Sequence, residues 1–112
     1  MIKKILCFDL DGVICKTKKN KYHDSKPNFV AIKKINELYD KGHYIKIFTA
    51  RFMGRSNENR VIAKKRGFKL TEKQLKNWKL KYHKLLFGKP SYDIFVDDKS
   101  IFFNKNWVKK IK

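Results

Sequence analysis

Ile5-Leu6-Cys7-Phe8-Asp9-Leu10-Asp11-Gly12, at residues 5–12, is the stretch that decides the fold of this chain. Four apolar residues run directly into two carboxylates and a glycine. A short apolar run that stops at acidic residues and glycine is typical of a buried strand that leads into a loop. The stretch therefore predicts a strand inside a sheet, with Asp9 and Asp11 at its carboxyl end.

Three further apolar runs also stop at side chains that can do chemistry. They are residues 44–48, 85–87 and 94–96, followed in turn by Thr49-Ala50-Arg51, Gly88-Lys89-Pro90 and Asp97-Asp98. We expect each run to form a strand. Open parallel sheets bind ligands outside the carboxyl ends of their strands. The sequence therefore predicts that these groups gather at one edge of a sheet.

Helical patterns separate the predicted strands. One helix is expected to begin at Pro27-Asn28 and to end at Lys41-Gly42, where glycine allows a left-handed turn. A second is expected over 58–66, ended by Gly67, and a third from the capping box at 71–74. Strands that alternate with helices predict an α/β domain with a mainly parallel, Rossmann-like sheet and right-handed crossovers.

The length of 112 residues is enough for a single domain over 1–112. Residues 13–28 are polar and rich in lysine, which indicates a flap-type loop. The tail from Lys99 onward is expected to pack on the sheet, as a short helix or an extended segment, through large apolar residues: Phe102, Phe103, Trp107 and Val108.

The charge balance is strongly basic, with 29 Lys and Arg against 10 Asp and Glu and a net charge of +19. Such a field attracts phosphorylated, anionic or nucleic-acid partners. However, 25 of the 29 basic residues are Lys, spread from Lys3 to Lys112, and no compact Arg cluster marks a nucleic-acid face. Whether the charge is functional or reflects a compositional bias is left open by the sequence.

Cysteine content and hydropathy indicate a cytoplasmic protein. Cys7 lies in an apolar run and is expected in the core, and Cys15 has no neighbouring base that would make it a nucleophile. Two such cysteines do not form a disulfide scaffold. The apolar run at the N-terminus is too short for a signal peptide, and no segment reaches the ~20 apolar residues of a membrane span.

Four of the ten carboxylates fall in two tight pairs after predicted strands: Asp9 with Asp11, and Asp97 with Asp98. Like charges that lie so close are unfavourable unless a cation neutralises them. Oxygen ligands of this kind, completed by water and substrate phosphate, favour Mg²⁺. The three histidines are scattered, and no Cys/His spacing suggests zinc.

At this point the chain resembles the haloacid-dehalogenase (HAD) superfamily. Four segments resemble its four motifs in order: residues 8–12, residues 48–51, Lys89 within Gly-Lys-Pro, and residues 96–98. The resemblance spans residues 5 to 100. It implies a minimal α/β domain of the HAD type and, since the gaps between motifs are short, no cap domain.

The resemblance also implies roles. Asp9 would attack phosphorus and form an aspartyl-phosphate, and Asp11 would protonate the leaving oxygen and then activate water. Thr49, Lys89, Gly12, Ala50 and Arg51 would bind the phosphoryl group, with Lys89 neutralising charge on it and on the nucleophile. Asp9, the Asp11 carbonyl, Asp97 and Asp98 would hold Mg²⁺. Which of the last two ligates directly is left open.

Each assignment has an alternative. Residues 9–12 could be an ordinary turn, Thr49 could cap the following segment, and the 97–98 pair could be a turn of solvated acids. Lys84 could replace Lys89, because only eight positions separate Lys89 from Asp97, fewer than in most relatives. Arg51 is as well explained as a surface residue as by anion binding. His23, Tyr22 and His83 are expected at the surface or in packing.

An uncapped, open site can take a bulky substrate, or a neighbouring subunit can supply the missing walls. The sequence therefore also leaves open whether the chain forms a homo-oligomer. The segments 26–28, 49–51 and 87–93 are similar to short capsule-biosynthesis phosphatases, which implies a sugar- or polyol-phosphate substrate. The +19 charge keeps two alternatives open. One is a polynucleotide 3′-end phosphatase, like the phosphatase half of polynucleotide kinase-phosphatase. The other is a non-catalytic basic nucleic-acid-binding module on the same fold.

Overall fold

The structure is a computed structural model that describes residues 2–112. Its regular elements in chain order are β1 (Ile5–Asp9), β2 (Cys15–Lys16), β3 (Lys26–Pro27), α1 (Phe29–Asp40), β4 (Tyr44–Thr49), α2 (Arg60–Asn77), β5 (Lys84–Phe87) and α3 (Trp107–Lys110). Single 3₁₀ turns occur at Tyr22–Asp24 and Gly54–Ser56.

Strands β1, β4 and β5 form a parallel sheet in the order β1-β4-β5. In this register Asp9 lies opposite Phe48, and Thr49 lies opposite Phe87, so the carboxyl ends of all three strands are level. The Lys89 amide donates to the Thr49 carbonyl at 3.2 Å, which carries the alignment beyond β5. The predicted α/β fold with a minimal Rossmann-like parallel sheet flanked by helices is confirmed.

The core lies on one face of the sheet. Alternate strand residues are buried there, because side chains on a strand point to opposite faces. Phe8, Ile47 and Leu85 lie side by side across the three strands and join one apolar cluster with the buried residues of the helices. On the opposite face the side chains are half-buried or exposed, as at Cys7 and Leu86.

Both long helices begin at an asparagine. The Asn28 side chain accepts from the Ala31 amide and caps α1, at the place where this helix was expected to begin. The Asn59 side chain accepts from the Ile62 amide at the start of α2. These side chains satisfy amides that have no partner within the helix.

The prediction of two helices between β4 and β5 was wrong, because α2 is continuous over Arg60–Asn77. Gly67 is an interior residue of this helix. Its α-carbon faces the rings of Phe52 and Phe87, and a β-carbon there would lie 2.5 Å and 3.0 Å from them. Thr71, the expected cap, is fully buried in the same helix. Glycine serves close packing here rather than helix termination.

The flap-type loop carries a small hairpin, in which β2 pairs with β3 antiparallel. The Asn28 amide donates to the Ile14 carbonyl at 2.8 Å and ties the end of the flap to its beginning. The flap therefore returns over the carboxyl end of β1 before α1 starts.

The predicted fourth strand at 94–96 is not formed. Every residue from Ser91 to Phe103 is exposed, including Phe102 and Phe103, which were expected to pack on the sheet. The tail is anchored later, where Trp107 is buried against Phe8 with ring centroids 5.7 Å apart. A short helix that packs there agrees with one of the two expectations for the tail. Over residues 2–112, no helix is long and apolar enough to cross a membrane.

Candidate functional site

A pocket of about 660 Å³ opens at the carboxyl ends of the strands. Its walls come from the β1 loop, the flap, the segment after β4 and the segment after β5. Two carboxylates and four basic side chains line it: Asp9, Asp11, Lys19, Arg51, Arg55 and Lys89. The pocket is therefore basic overall and suited to an anionic ligand.

Asp9 and Lys89 form an ion pair inside this pocket, with Lys89 Nζ 3.2 Å from Asp9 Oδ1. The same Asp9 oxygen accepts from the Leu10 amide at 3.0 Å. Burial raises the pKa of Asp9, and the Lys89 charge opposes that rise without cancelling it. Burial alone would lower the pKa of Lys89, but the Tyr92 side chain and Asp9 outweigh it, so the pKa of Lys89 is raised.

Lys89 and Lys84, the two candidate lysines, lie at opposite ends of β5. Lys84 begins β5 and is exposed, whereas Lys89 follows β5 and is buried beside Asp9. Lys89 Nζ also lies 5.4 Å from the Tyr92 ring centroid and 5.7 Å from that of Phe95. Two aromatic faces and one carboxylate therefore hold the ammonium group at the pocket wall.

Asp11 is held by Arg51 in a two-point ion pair, with Nε 3.0 Å from Oδ2 and Nη2 3.0 Å from Oδ1. The Thr17 hydroxyl donates to Asp11 Oδ1 at 2.6 Å. Paired N–H donors match the geometry of a carboxylate and fix its plane. Asp11 is thus oriented at the pocket wall with 28% of its side chain exposed.

Arg51 is only 1% exposed, so the surface alternative for this residue is wrong. Besides Asp11, its guanidinium donates to the Thr71 hydroxyl, the Gln74 side-chain carbonyl and the Ser25 hydroxyl. These bonds use all five of its N–H groups. In this arrangement Arg51 joins the β1 loop, the flap and α2. Its contact with a substrate anion stays a prediction.

Thr49 is fully buried, and its hydroxyl oxygen accepts from the Arg51 amide at 3.0 Å. This bond matches the capping alternative, and Thr49 is not among the residues that line the pocket. Ala50 does line the pocket. Gly12 has a φ of +95°, and its amide donates to the Cys15 carbonyl at 2.7 Å. Contacts of these residues with a phosphoryl group stay predictions.

Asp97 and Asp98 do not join the pocket. Both are exposed, and among residues 2–112 no three acidic, His or Cys side chains converge as a metal site would require. The two carboxylates that do meet, Asp9 and Asp11, are each paired with a cation of the chain itself. The single chain as arranged here therefore does not bring Asp97 and Asp98 to Asp9 and the Asp11 carbonyl, with which they were predicted to hold Mg²⁺. Binding of Mg²⁺ stays a prediction.

Five pocket and near-pocket residues escaped the sequence reasoning: Thr17, Tyr22, Ser25, Thr71 and Gln74. Tyr22 was expected only at the surface or in packing, yet its ring lies 5.0 Å from the Arg51 guanidinium carbon and lines the pocket. Thr17 and Ser25 belong to no motif, and the spacing of Thr71 and Gln74 indicated a helix cap. A buried arginine needs polar partners, and this requirement of Arg51 is the signal that could have pointed to them.

His83 agrees with its expected packing role, because its ring stacks between Tyr39 and Tyr44, with centroids 4.6 Å and 4.4 Å away. His23 is exposed. Cys15 is buried as a core residue, whereas Cys7, which was expected in the core, is exposed. The prediction for Cys7 was wrong because the face of the sheet that it occupies is left uncovered.

These features define the chain as an α/β domain with a Rossmann-like parallel sheet and a basic pocket at the carboxyl ends of its strands. It is similar to the crystal structure of an MCSG target from Vibrio cholerae, with a TM-score of 0.81 and 24% identity over 97% of this chain and 95% of that chain. At that identity the likeness shows the fold alone. No protein-family model matches the chain, and no curated protein matches it significantly.

Proposed function

We propose that the chain is a phosphomonoester hydrolase of the HAD type that acts through an aspartyl-phosphate on Asp9. The observation that carries the proposal is the placement of Asp9 at the end of β1, in a basic pocket, with Lys89 Nζ at 3.2 Å. A carboxylate can accept a phosphoryl group, and an adjacent cation stabilises the charge that develops on it.

In the first step, an Asp9 oxygen bonds to phosphorus while the bond from phosphorus to the ester oxygen breaks. Asp11, two residues further along the chain, gives a proton to the departing oxygen. Lys89 neutralises negative charge on Asp9 and on the phosphoryl oxygens. Arg51 holds the Asp11 carboxylate in place and acts as a positioning residue.

In the second step, water attacks phosphorus and gives its proton to Asp11, while the bond from phosphorus to Asp9 breaks. Inorganic phosphate leaves, and Asp9 is restored as a carboxylate. A magnesium ion would lower repulsion between the two anions. The dependence of turnover on Mg²⁺ is a separate expectation.

The open pocket supports a phosphorylated sugar or polyol as the substrate class. Its outer wall carries polar and basic groups from the flap and the segment after β4: Lys19, Asn20 and Arg55. Hydroxyl groups on a substrate can bond to such side chains while its phosphate approaches Asp9.

Hydrolysis of an aryl phosphate, with Mg²⁺ or with EDTA, tests the proposal. We expect turnover by the wild type in Mg²⁺, none by Asp9→Asn, and an aspartyl-phosphate on Asp9 by mass spectrometry of acid-quenched protein. Asp24→Asn removes an exposed flap carboxylate outside the pocket and serves as the matched control. Wild-type rates in Asp9→Asn would contradict the proposed nucleophile.

A second candidate, a polynucleotide 3′-end phosphatase, is favoured by the net charge of +19. It predicts that turnover of an oligonucleotide 3′-phosphate falls steeply with salt, because released counterions contribute to binding. Turnover of a small sugar phosphate would fall much less. Binding of nucleic acid without any turnover would instead indicate a non-catalytic module.

A further inference from the structure

Some of the positive charge in the pocket has no negative partner. Both carboxylates of the pocket are already taken up in ion pairs: Asp11 with Arg51, and Asp9 with Lys89. Neither Lys19 nor Arg55, the other two basic side chains of the lining, forms an ion pair within residues 2–112. Their charges lie on the flap and on the segment after β4, away from the segment that carries Lys89.

Contacts of its side chain orient Arg55 at this wall. Its guanidinium carbon lies 5.1 Å from the centroid of the Phe52 ring and 5.6 Å from that of the Tyr22 ring. Its Nη2 donates to the Asn20 carbonyl at 2.8 Å, which is the one hydrogen bond that the side chain donates within residues 2–112. A guanidinium group has five N–H donors. Most of the fork is therefore left for a ligand.

The backbone that leads to Arg55 is strained. Phe52, whose ring supports the guanidinium group, has a φ of +64°. A positive φ is unusual for a bulky aromatic residue, and such conformations cluster at active sites and ligand clamps. Arg55 itself lies in the 3₁₀ turn Gly54–Ser56, and its carbonyl accepts from Arg66 Nη1 of α2 at 3.0 Å. The turn that carries Arg55 is thus fixed to the long helix.

A second guanidinium group lies close to the same ring, since the Arg51 guanidinium carbon is 5.0 Å from the Tyr22 centroid. Like charges near one ring repel each other unless anions offset them. Asp11 offsets the charge of Arg51, with Nη2 3.0 Å from Oδ1. The carboxylate nearest to Arg55 in sequence, Glu58, instead accepts hydrogen bonds from the segment after β5. The surroundings of Arg55 therefore favour an anion that the chain does not supply.

We propose that the pocket takes phosphomonoesters that carry a second anionic group, and that Arg55 binds this group beside the charge of Lys19. The inference rests on the proposed function, because it names the substrate class of the same site. Lys89 serves the phosphoryl group that is transferred, whereas Arg55 lies on a different wall. The volume of about 660 Å³ is within the range of roughly 300–1,000 Å³ that is typical of small-molecule sites.

The geometry of the guanidinium fork defines the chemistry of the second group. A planar fork bonds at two points to a carboxylate or to a phosphate, and each such bond is strengthened by charge. The substrate class is therefore a sugar or polyol phosphate that also bears a carboxylate or a second phosphate. A neutral hydroxyl group at the same place would leave the charge of Arg55 without an anion.

Three hexitol derivatives that differ only at the end remote from the ester test this class: sorbitol 6-phosphate, 6-phosphogluconate and sorbitol 1,6-bisphosphate. We expect kcat/KM for one or both of the doubly anionic compounds to exceed that for sorbitol 6-phosphate by about tenfold or more, mainly through KM, as expected for hydrogen bonds between charged groups. The preferred compound identifies the second group as carboxylate or phosphate. Equal values for all three, with an active wild type, would overturn the inference and leave the proposed function standing.

Arg55→Gln should lose most of this preference, because its rate falls more for the doubly anionic compounds than for sorbitol 6-phosphate. Lys18→Gln is the matched control, since Lys18 is an exposed flap lysine that does not line the pocket. It removes the same charge and should keep the wild-type preference. An equal loss of preference in both variants would mean that the overall charge is responsible, which would overturn the assignment to Arg55.

Phosphonates test the second anion subsite if the wild type hydrolyses none of the phosphates. Hexylphosphonate and 6-phosphonohexanoate differ only in a terminal methyl group or carboxylate, and neither has an ester bond to break. Calorimetry should give a Kd about tenfold lower for 6-phosphonohexanoate with the wild type, and similar values for both with Arg55→Gln. That result would refute the proposed function and leave the subsite standing. Equal affinities in the wild type would overturn both.

Discussion

Arg51 carries a permanent charge and is almost completely buried. Its guanidinium bonds to three separate parts of the chain: Asp11 after β1, Ser25 in the flap, and Thr71 with Gln74 in α2. Burying such a charge is favourable only where every donor finds a partner. At the residue scale, this side chain therefore determines both local stability and the orientation of Asp11.

Arg51→Ala should lower the free energy of unfolding by about 2–4 kcal/mol, because it leaves Asp11 and three polar side chains in α2 and the flap without their partner. Urea unfolding followed by circular dichroism measures the change. Arg55→Ala is the control, since Arg55 contacts the same Tyr22 ring from an exposed position. Its effect should stay within about 0.5 kcal/mol. Equal losses in both variants would contradict the role of the buried network.

The pKa of Asp9 sets a second expectation, for the dependence of turnover on pH. Asp9 must be ionised to attack, and burial raises its pKa, so the acid limb of kcat/KM should lie above the ordinary carboxyl range. Lys89→Gln removes the nearby positive charge that opposes this rise. The residual activity should therefore have its acid limb at still higher pH, as measured by a pH–rate profile.

Lys84→Gln is the control for that profile. Lys84 is exposed at the amino end of β5, and loss of its charge should leave the acid limb where it is in the wild type. An unchanged limb in Lys89→Gln, or a shifted limb in Lys84→Gln, would contradict the pairing of Asp9 with Lys89.

The sequence predicts the residues that follow the strands better than the residues that support them. Asp9, Asp11 and Lys89 could be placed at one sheet edge, because the run of apolar residues before each one fixes where a strand ends. The partners of Arg51 could not, since Thr71 and Gln74 approach it only after α2 has packed on the sheet. Their residue types are common on any polar helix surface.

At the scale of elements, Gly67 shows why helix boundaries were misjudged. Glycine commonly follows the end of a helix, but it also permits close packing within one, and the sequence is the same in both cases. Here α2 continues past Gly67, and the rings of Phe52 and Phe87 fill the space of a side chain. The apparent capping box at 71–74 does not start a helix either. Thr71 lies inside α2, and its side chain is directed to Arg51.

Gly67→Ala should destabilise the protein despite the better helix propensity of alanine. The propensity favours alanine by about 1 kcal/mol, whereas overpacking against two rings costs about 1–3 kcal/mol. The net loss should be up to about 2 kcal/mol in thermal or urea unfolding. Gly54→Ala is the control, since a β-carbon there would meet nothing within 4 Å. A stabilised Gly67→Ala would show that the two rings move aside easily.

The 94–96 run illustrates a different limit at this scale. Its composition favours a strand, yet no strand forms there, because a strand needs a neighbour within reach. Only six residues connect it to β5, and that connection is too short for the pairing that the pattern suggests. The local sequence determines that such a segment favours a strand. The length of the connection before it determines which strand it can reach as a partner.

At the scale of the whole molecule, one face of the sheet is covered and the other is largely open. Sheets that consist only of parallel strands usually bury both faces. The uncovered side carries apolar or small side chains at Ile5, Cys7 and Leu86, and the tail from Ser91 to Phe103 is exposed as well. A surface of this kind is more typical of a subunit than of an isolated domain.

The substitution Val96→Lys distinguishes a subunit of a dimer from an isolated domain. Val96 is 90% exposed in the single chain, so the substitution should leave the unfolding of a monomer unchanged. It should abolish any dimer whose interface includes the exposed tail segment around Val96, as measured by light scattering at several concentrations. Val61→Lys is the control, because Val61 is 73% exposed at the start of α2, far from the tail in sequence. A Val96→Lys protein that remains dimeric would contradict the expectation.

The guanidinium of Arg51 links the flap to Asp11. Ser25 and Tyr22 in the flap contact the same group that fixes Asp11. Displacement of the flap would cost Arg51 its bond to Ser25 and its contact with the Tyr22 ring, which would leave fewer contacts to fix the guanidinium against Asp11. The position of the flap and the orientation of Asp11 therefore depend on the same side chain.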